Sequence, residues 1–218
     1  MRQFAVLGLG RFGSAVATEL YRLGHEVIAI DSDEERVNAV ARQVTHPVIA
    51  DAAHRDDLLS AGVANCDVAV VAFGANMEGN ILATLLLKEL GIKTVVAKAQ
   101  NQLHEKVLKR IGADRVVRPE YDMGKNLAQS LSDPDVLLTL PVAENFSVVE
   151  IRANEKVSGE VRELNLNNRF GLSIVVVISA KGEVKGVPRA DTVLRADDVL
   201  VIAGFNQAIA EFRRFLES

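Results

Sequence analysis

Short apolar runs alternate with amphipathic segments along the first half of the chain. The apolar runs are β-branched through their middles, as expected of parallel strands that are covered on both faces. They lie at residues 3–8, 26–31, 46–50, 67–73, 93–99 and 114–119. Helical patterns separate them at residues 12–23, 33–43, 54–61, 77–90 and 101–111. This alternation predicts a doubly wound parallel sheet, a Rossmann-like α/β fold with strand order 3-2-1-4-5-6.

The rhythm changes in the second half. One further helix is predicted at about 120–132, stopped by Asp133-Pro134, and short strands follow at 147–153, 172–180, 183–188 and 198–204. A turn at Lys181-Gly182 makes the middle two strands a hairpin, and residues 207–218 form a last helical pattern. We therefore predict a nucleotide-binding domain at residues 1–132, which includes the crossover helix, and a small α+β domain at residues 135–218.

The composition is that of a globular protein with one large or two small domains. Of 218 residues, 49% are apolar and 25% are charged, and the net charge of -4 argues against broad nucleic-acid binding. The single cysteine, Cys66, precludes an internal disulfide and fits a reducing cytoplasm. No apolar stretch approaches the roughly 20 residues that a bilayer requires, and no signal-like region precedes the first strand. We expect a cytoplasmic protein that reaches a membrane only through a partner.

A glycine-rich loop after the first strand is the main candidate for a binding site. Gly8, Gly10 and Gly13 have the G-x-G-x-x-G spacing of dinucleotide-binding folds, whose phosphates rest on a helix N-terminus. Gly8 permits a sharp turn, Gly10 lets phosphate approach the backbone, and Gly13 lets the helix pack closely. Asp31, at the end of the second strand, can accept hydrogen bonds from both ribose hydroxyls and would repel a 2′-phosphate. Together they predict a nucleotide with a free ribose diol.

Three charged residues near this loop each have two interpretations. Arg11 lies in the first helical turn, where the helix dipole disfavours a cation, so it either grips phosphate or is a solvated surface residue. Asp51, just after the third strand, either faces the adenine edge or caps the next helix. Lys98, at the end of the fifth strand, either reaches the nucleotide or holds its head in water.

The chain lacks features that two other protein classes with this fold require. A dehydrogenase needs a group of residues that orients substrate beside the nicotinamide, but the four histidines are scattered and none lies beyond residue 134. A redox-sensing repressor needs a basic recognition helix, whereas residues 135–218 are strand-rich and not notably basic. The residues therefore favour a protein that holds the nucleotide as a signal over an enzyme. The alternative is an NAD(H)-dependent oxidoreductase or an NAD(H)-sensing regulator.

Motifs along the whole chain resemble one known family. They are "GLGRFG", "ADAAHRDDLLSAG", "VVAFGAN", "LLLKELG", "VAKAQNQLHEKVLKRIGADRVVRPEYDMG" and "QSLSD". These stretches are similar to the KtrA/TrkA-type regulatory subunits of bacterial potassium transport, most of all to the KtrA branch. The domain of that family is called RCK or KTN, and residues 135–218 resemble its smaller C-terminal domain.

The resemblance implies an assembly and a larger nucleotide pocket. The assembly is an octameric cytoplasmic ring, a tetramer of dimers, at the inner face of the membrane beneath an ion-translocating subunit of the KtrB/TrkH type. ATP would activate the ring and ADP would inactivate it, and NAD or NADH also binds this fold. Besides the glycines, the implied pocket comprises Arg11, Phe12, Asp31, Ser32, Asp33, Asp51, Ala52, Phe73, Gly74, Ala75, Lys98, Ala99, Gln100, His104 and Glu120.

The resemblance also implies two further ligands. Glu120 matches a residue near the phosphates, where a carboxylate suggests a bridging Mg²⁺, Ca²⁺ or Na⁺ shared by two subunits. Alternatively, Glu120 stabilises the N-terminus of the helix at 120–132. The C-terminal domain of the branch can bind cyclic di-AMP at a dimer interface, although apolar strand residues belong to a core by default. The matching positions are Arg169, Ile174, Val175, Val176 and Pro188.

The helix at residues 77–90 is apolar almost all round. Such a helix is buried on more than one side. It therefore lies either at a subunit interface or deep within one protomer, and the sequence leaves both open.

Overall fold

The N-terminal residues form a six-stranded parallel sheet in the predicted order, β3-β2-β1-β4-β5-β6. This computed structural model describes residues 1–132 and 136–218. The strands are β1 (Gln3–Leu7), β2 (Glu26–Asp31), β3 (His46–Ile49), β4 (Val68–Val71), β5 (Thr94–Lys98) and β6 (Arg115–Val117). The helices between them are α1 (Arg11–Arg22), α2 (Glu34–Val40), α3 (Arg55–Ser60), α4 (Met77–Glu89) and α5 (Gln102–Arg110). The predicted Rossmann-like α/β fold is confirmed.

The sheet is covered on both faces because neighbouring residues of a strand enter different cores. On β1, Leu7 packs in one apolar cluster with Leu87 and Leu108, whereas Val6 packs on the other face with Val37. None of these side chains is more than 3% exposed. A strand buried on both faces must be apolar throughout, which explains the unbroken apolar runs in the sequence.

The order of the strands creates a crevice at one edge of this sheet. Strand β1 pairs in parallel with both β2 and β4, so the chain builds outward from β1 in two directions. The connections that follow β1 and β4 then lead to opposite faces of the sheet. The carboxyl ends of these strands are where ligands bind in open parallel sheets.

Helix α4 buries only part of its apolar surface within one chain. Ala83 and Leu87 are fully buried, but Leu82 and Leu85 are 41% and 40% exposed. Burial inside a single protomer therefore does not account for all of its leucines. The predicted role of this helix at a subunit interface stays a prediction.

The chain divides into two compact units, Met1–Tyr121 and Asp122–Ser218. Helix α6 (Pro119–Ser132) begins in the first unit and continues in the second. Its predicted stop at Asp133-Pro134 lies outside the described residues. In the described part of the chain, no helix has the length and apolar character needed to cross a membrane.

The second unit contains a five-stranded sheet in the order β11-β10-β13-β8-β7. Its strands are β7 (Val136–Ala143), β8 (Phe146–Arg152), β10 (Ser173–Ile178), β11 (Val184–Gly186) and β13 (Val199–Phe205). The second unit also contains a two-stranded pair formed by β9 (Gly159–Glu160) and β12 (Val193–Leu194). Its further helices are α7 (Val161–Leu164), α8 (Leu166–Phe170) and α9 (Asn206–Glu217). The predicted hairpin is present, since β10 and β11 are antiparallel and Gly182 in their turn has φ +84°. The small α+β domain is confirmed, but β7 was not predicted.

Candidate functional site

A cavity of about 750 Å³ opens at the carboxyl ends of the strands in the first unit. Its wall comes from the loops after β1, β2, β3 and β4, from the end of β5 and from the start of α6. The sequence predicted most of the residues in this wall. Those residues are Gly8, Gly10, Arg11, Phe12, Asp31, Ser32, Asp51, Ala52, Phe73, Gly74, Ala75, Lys98 and Glu120.

The glycine loop turns sharply and leaves open space at its second glycine. Gly8 has φ +91°, and a Cβ there would lie 2.7 Å from the Phe73 ring, so only glycine fits. At Gly10 an added Cβ would meet nothing within 4 Å, which leaves the N-terminus of α1 open to a ligand. At Gly13 it would lie 1.8 Å from the Gly8 carbonyl oxygen, so α1 packs directly on the loop. The space around each glycine is what its predicted role requires.

Asp31 holds two loops of the cavity in place. Its Oδ2 accepts a hydrogen bond from the Leu9 N–H at 2.7 Å, and its Oδ1 accepts one from the Asp33 N–H at 3.0 Å. The residue is only 6% exposed, and it forms an ion pair with Arg36, whose Nη1 lies 3.5 Å from Oδ2. Each oxygen still has acceptor capacity for a ribose hydroxyl. The carboxylate that the sequence assigns to the ribose therefore also orders the site around it.

An ion pair lies in another part of the wall, within reach of the charge of Arg11. The Lys98 ammonium Nζ lies 2.5 Å from Glu120 Oε1. This hydrogen bond, with a smaller contribution from the charge of Arg11, lowers the pKa of Glu120. The Lys98 side chain is only 10% exposed, so the alternative interpretation, in which its ammonium group lies in water, is wrong. Glu120 is also the second residue of α6, where a carboxylate stabilises the helix N-terminus.

Asp51 orders the loop after β3 instead of capping α3. Its Oδ1 accepts a hydrogen bond from the Ala53 N–H at 2.9 Å, and its own N–H donates to Asp57 Oδ2 at 3.0 Å. The capping position of α3 is taken by His54, whose side chain makes no capping hydrogen bond. The helix-cap interpretation of Asp51 is therefore wrong, and its side chain lines the cavity.

Two predicted pocket residues on the glycine-loop side lie behind the wall. Gly13 packs under the loop, where it is buried. Asp33 caps α2, since its side chain accepts hydrogen bonds from the Glu35 and Arg36 N–H groups. Both residues shape the wall without lining it.

Three more predicted residues lie behind the loop that follows β4. Ala99 and His104 are each 1% exposed. The Gln100 Nε2 group donates a hydrogen bond to the Gly74 carbonyl, and the Gln100 backbone N–H donates to His104 Nδ1 at 3.4 Å. Burial lowers the pKa of His104, so the ring is neutral at physiological pH. These residues support Gly74, which does line the cavity.

The sequence analysis missed part of the wall. Arg36 lies in the first turn of α2, where no motif marks it, and its Nε is 3.2 Å from Asp33 Oδ2. Asn76 caps α4 by accepting a hydrogen bond from the Gly79 N–H at 2.8 Å. A polar residue directly before an apolar helix is a signal that could have found Asn76. The missed residues are Leu9, Arg36, Ala50, Ala53, Ala72, Asn76 and Gly79.

The donors of one chain do not fit a metal ion at Glu120. The described residues contain no group of three or more His, Cys, Asp and Glu side chains that could hold one. The Lys98 ammonium already pairs with the Glu120 carboxylate. Mg²⁺ and Ca²⁺ need several oxygen ligands, which one paired carboxylate does not supply. A cation shared with a second copy stays a prediction.

The positions matched to cyclic di-AMP binding lie in the second unit. The Arg169 guanidinium lies 5.1 Å from the ring centroid of Phe170 and 4.9 Å from that of Phe215. Val175 on β10 is 40% exposed, so this strand position is not part of the core. Binding of cyclic di-AMP at Arg169, Ile174, Val175, Val176 and Pro188 stays a prediction.

Comparison with known proteins identifies both parts of the chain. Residues 4–119 match the TrkA-N domain, and residues 146–217 match the TrkA-C domain. The chain is 46% identical over 212 residues to the Ktr system potassium uptake protein A of Bacillus subtilis (strain 168). That match covers 97% of this chain and 95% of the relative.

Solved structures share the fold. The whole chain matches the GsuK channel bound to NAD with a TM-score of 0.71 and 17% identity, over 39% of that protein's chain. A part covering 61% of this chain matches GsuK bound to ADP with a TM-score of 0.52 and 28% identity, over 34% of that chain. The present chain thus spans well under half of these two GsuK chains.

Proposed function

The chain belongs to the KtrA-type family of RCK regulatory subunits, and from that premise we propose that it regulates a potassium uptake system by binding a nucleotide in the cavity of the first unit. Both domain matches and the 46% identity to the Bacillus subtilis uptake protein support the family. The nucleotide is a proposal of ours, drawn from the geometry of the cavity.

The distribution of charge along the cavity carries this proposal. Arg11 and Lys98 line it beside the N-terminus of α1 and the end of β5, whereas Asp31 lies at the end of β2. Cations beside a helix N-terminus suit a chain of phosphates, and a buried carboxylate suits a ribose diol. A nucleoside polyphosphate has both parts. The volume of about 750 Å³ falls within the usual range of small-molecule sites.

ATP and ADP are the nucleotides that we propose, with ATP activating and ADP inactivating. Phosphate oxygens and the Glu120 carboxylate compete for the same Lys98 ammonium. ATP has one phosphate more than ADP and is therefore better able to displace Glu120, which lies at the start of α6. Because α6 continues in the second unit, two ligands that pair differently with Lys98 can favour different states of the protein. The sign of the effect follows the family resemblance.

We extend the proposal to an assembly at the membrane. Copies of the chain would form an octameric ring, a tetramer of dimers, on the cytoplasmic side of an ion-translocating subunit of the KtrB/TrkH type. Leu82 and Leu85 on α4 and Met123 on α6 supply exposed apolar surface for such contacts, with exposures of 41%, 40% and 67%. Light scattering of the purified protein tests the ring.

Regulation is preferred to hydride transfer because of where the histidines lie. Among the described residues of the cavity wall there is no histidine, and His104 is buried behind it. An NAD(H)-dependent oxidoreductase, or an NAD(H)-sensing regulator, is the alternative. GsuK, a structural relative, has been solved with NAD bound, although at 17% identity that likeness concerns the fold alone.

Two linked experiments test the proposed function. Mass spectrometry of the nucleotide that co-purifies with the protein should find ATP or ADP. Calorimetric titration should then show that Arg11→Ala weakens ATP binding at least tenfold, because a charge-assisted hydrogen bond contributes about 1.5–3 kcal/mol. Arg110→Ala is the matched control, since Arg110 is exposed at the far end of α5 and away from the cavity. Tight NADH binding with neither ATP nor ADP detectable would overturn the proposal.

A further inference from the structure

Arg36 lies apart from the other cations of the cavity wall. It follows β2, whereas Lys98 ends β5, and these strands are separated by β1 and β4 in the sheet. Three strand spacings of about 4.8 Å place the two strand ends roughly 14 Å apart. Arg36 is also held at the end of β2 by Asp31, and Lys98 is held by Glu120 at the start of α6, so the two cations face different parts of a ligand.

The charge of Arg36 is already balanced by two carboxylates. Its Nη1 lies 3.5 Å from Asp31 Oδ2, and its Nε lies 3.2 Å from Asp33 Oδ2. Hydrogen bonds of a guanidinium lie in its plane, so these contacts leave its flat faces available. A guanidinium neutralised in this way is a poor anchor for another anion, but it remains a good surface for an aromatic ring.

No ring of the described residues lies against this guanidinium. Arg2, Arg118 and Arg169 each stack on an aromatic side chain, at 5.7, 4.2 and 5.1 Å from the ring centroid. Arg36, which is 54% exposed and lines the cavity, has no such contact among the aromatic pairs of the described part of the chain. The neighbouring wall after β3 contains three small residues, Ala50, Ala52 and Ala53, which leave room for a flat group beside Asp51.

We propose that Arg36 stacks on the base of the bound nucleotide and makes the cavity selective for purine over pyrimidine nucleotides. The inference rests on the proposed nucleotide-binding function and adds to it the part of the ligand that confers selectivity. A purine presents a larger ring surface than a pyrimidine, and stacking grows with the surface covered. Asp31 then has two roles, because it holds Arg36 while it accepts hydrogen bonds from the ribose.

Binding of ATP and CTP to the full chain tests the proposal. These ligands share the ribose and the triphosphate, so any difference between them comes from the base. The wild type should bind ATP more tightly than CTP. Arg36→Ala should weaken ATP binding roughly tenfold and CTP binding much less, in line with stacking measured for other bases. Arg36→Lys keeps the charge but loses the flat surface, and it should behave like Arg36→Ala.

Each other outcome has a distinct meaning. Equal losses for ATP and CTP in Arg36→Ala would mean that Arg36 acts only by holding Asp31, and the proposal would be overturned. Retention of the ATP preference by Arg36→Lys would overturn it as well, since charge alone would then suffice. A wild type that binds neither ligand, or only dinucleotides, refutes the proposed function itself. Arg110→Ala, the charge-matched control, should leave both affinities unchanged, and circular dichroism checks that every variant is folded.

Discussion

The ammonium of Lys98 lies 2.5 Å from the Glu120 carboxylate, although the two side chains are 10% and 72% exposed. A largely buried cation is thus satisfied by a carboxylate that is mostly in water. Removing a buried cation from a carboxylate that neutralises it is costly, so whatever displaces Glu120 must itself be anionic. The phosphates of the proposed nucleotide meet that requirement, so we expect its binding to change this ion pair.

Glu120→Gln should strengthen ATP binding in the absence of divalent cations. The variant leaves Lys98 without a competing carboxylate, and one charge interaction of about 1 kcal/mol corresponds to roughly fivefold in affinity. Calorimetry in EDTA measures this, with Glu89→Gln as a control, because Glu89 is exposed at the C-terminal end of α4 and does not line the cavity. Equal affinities of the wild type and the variant would show that Glu120 does not compete with phosphate.

The same variant tests the shared cation. If Glu120 residues of two subunits hold Mg²⁺, Ca²⁺ or Na⁺ beside the phosphates, adding Mg²⁺ should strengthen ATP binding to the wild type more than to Glu120→Gln. An identical Mg²⁺ dependence in both proteins would reject the bridging cation. The measurement uses the intact assembly, because one chain alone lacks the donors.

Two glycine variants should separate folding from binding. Gly13→Ala places a Cβ 1.8 Å from the Gly8 carbonyl oxygen, so α1 must move, and we expect a loss of stability of about 2–4 kcal/mol. Gly10→Ala meets nothing within 4 Å and has φ −67°, so the fold should be retained. Its methyl group should nevertheless obstruct phosphate and weaken ATP binding. Urea unfolding and calorimetry on both variants check this; normal ATP affinity in Gly10→Ala would contradict a phosphate at this loop.

Asp198 should make the second unit sensitive to acid. The buried carboxylate of Asp198 accepts hydrogen bonds from Lys185 Nζ at 2.7 Å and from the Arg195 N–H at 3.0 Å. Burial alone would raise the pKa of Asp198, but these contacts outweigh burial and lower it. A carboxyl group with a lowered folded-state pKa stabilises the fold above its unfolded value near 3.9 and loses that contribution as the pH falls through the folded value.

Asp198→Asn should therefore lower the free energy of unfolding at pH 7 by about 3 kcal/mol. The free energy of unfolding of the variant should also fall less between pH 7 and pH 3 than that of the wild type. Unfolding by urea at pH 7 and at pH 3 measures both effects. Asp197→Asn is the matched control, since Asp197 is exposed and its φ of +70° is tolerated by asparagine. A pH profile of Asp198→Asn that matches the wild type would contradict the assigned role.

Cys66 should be unreactive in the folded protein. Burial raises the pKa of its thiol from 9.0 to about 11, which lowers the thiolate fraction at pH 8 by roughly a hundredfold. Iodoacetamide labelling followed by mass spectrometry should be slow in buffer and fast in urea. Rapid labelling of the native protein would show that the segment directly before β4, which contains Cys66, opens readily.

The parallel sheet could be predicted because the pattern that specifies each strand lies within a short stretch of sequence. Each strand that is covered on both faces needs an apolar run, and each run lies between helical patterns. Strand β7 could not be predicted in this way, because Pro141 interrupts its pattern. Proline has no N–H to donate and is confined to edge strands or irregular positions. β7 is such an edge strand, and that position depends on the tertiary fold.

The cavity could be predicted only as far as short motifs mark it. Gly8, Gly10 and Asp31 follow a spacing that the chemistry of phosphates and ribose requires. Arg36 escaped prediction because its importance arises from the distance to the Asp31 carboxylate, which no spacing rule encodes. His104 matches a family position, yet the packing of α5 places it behind the wall.

The hydrogen bonds of Asp31 to Leu9 and Asp33 have a kinetic consequence. A loop that is ordered before the ligand arrives does not lose conformational entropy on binding, and association need not wait for it to close. We therefore expect the residence time of a bound nucleotide, more than the capture of the next one, to limit how quickly the proposed regulation responds to a change in nucleotide concentration. Association of the nucleotide should be fast, and its dissociation should be the slow step.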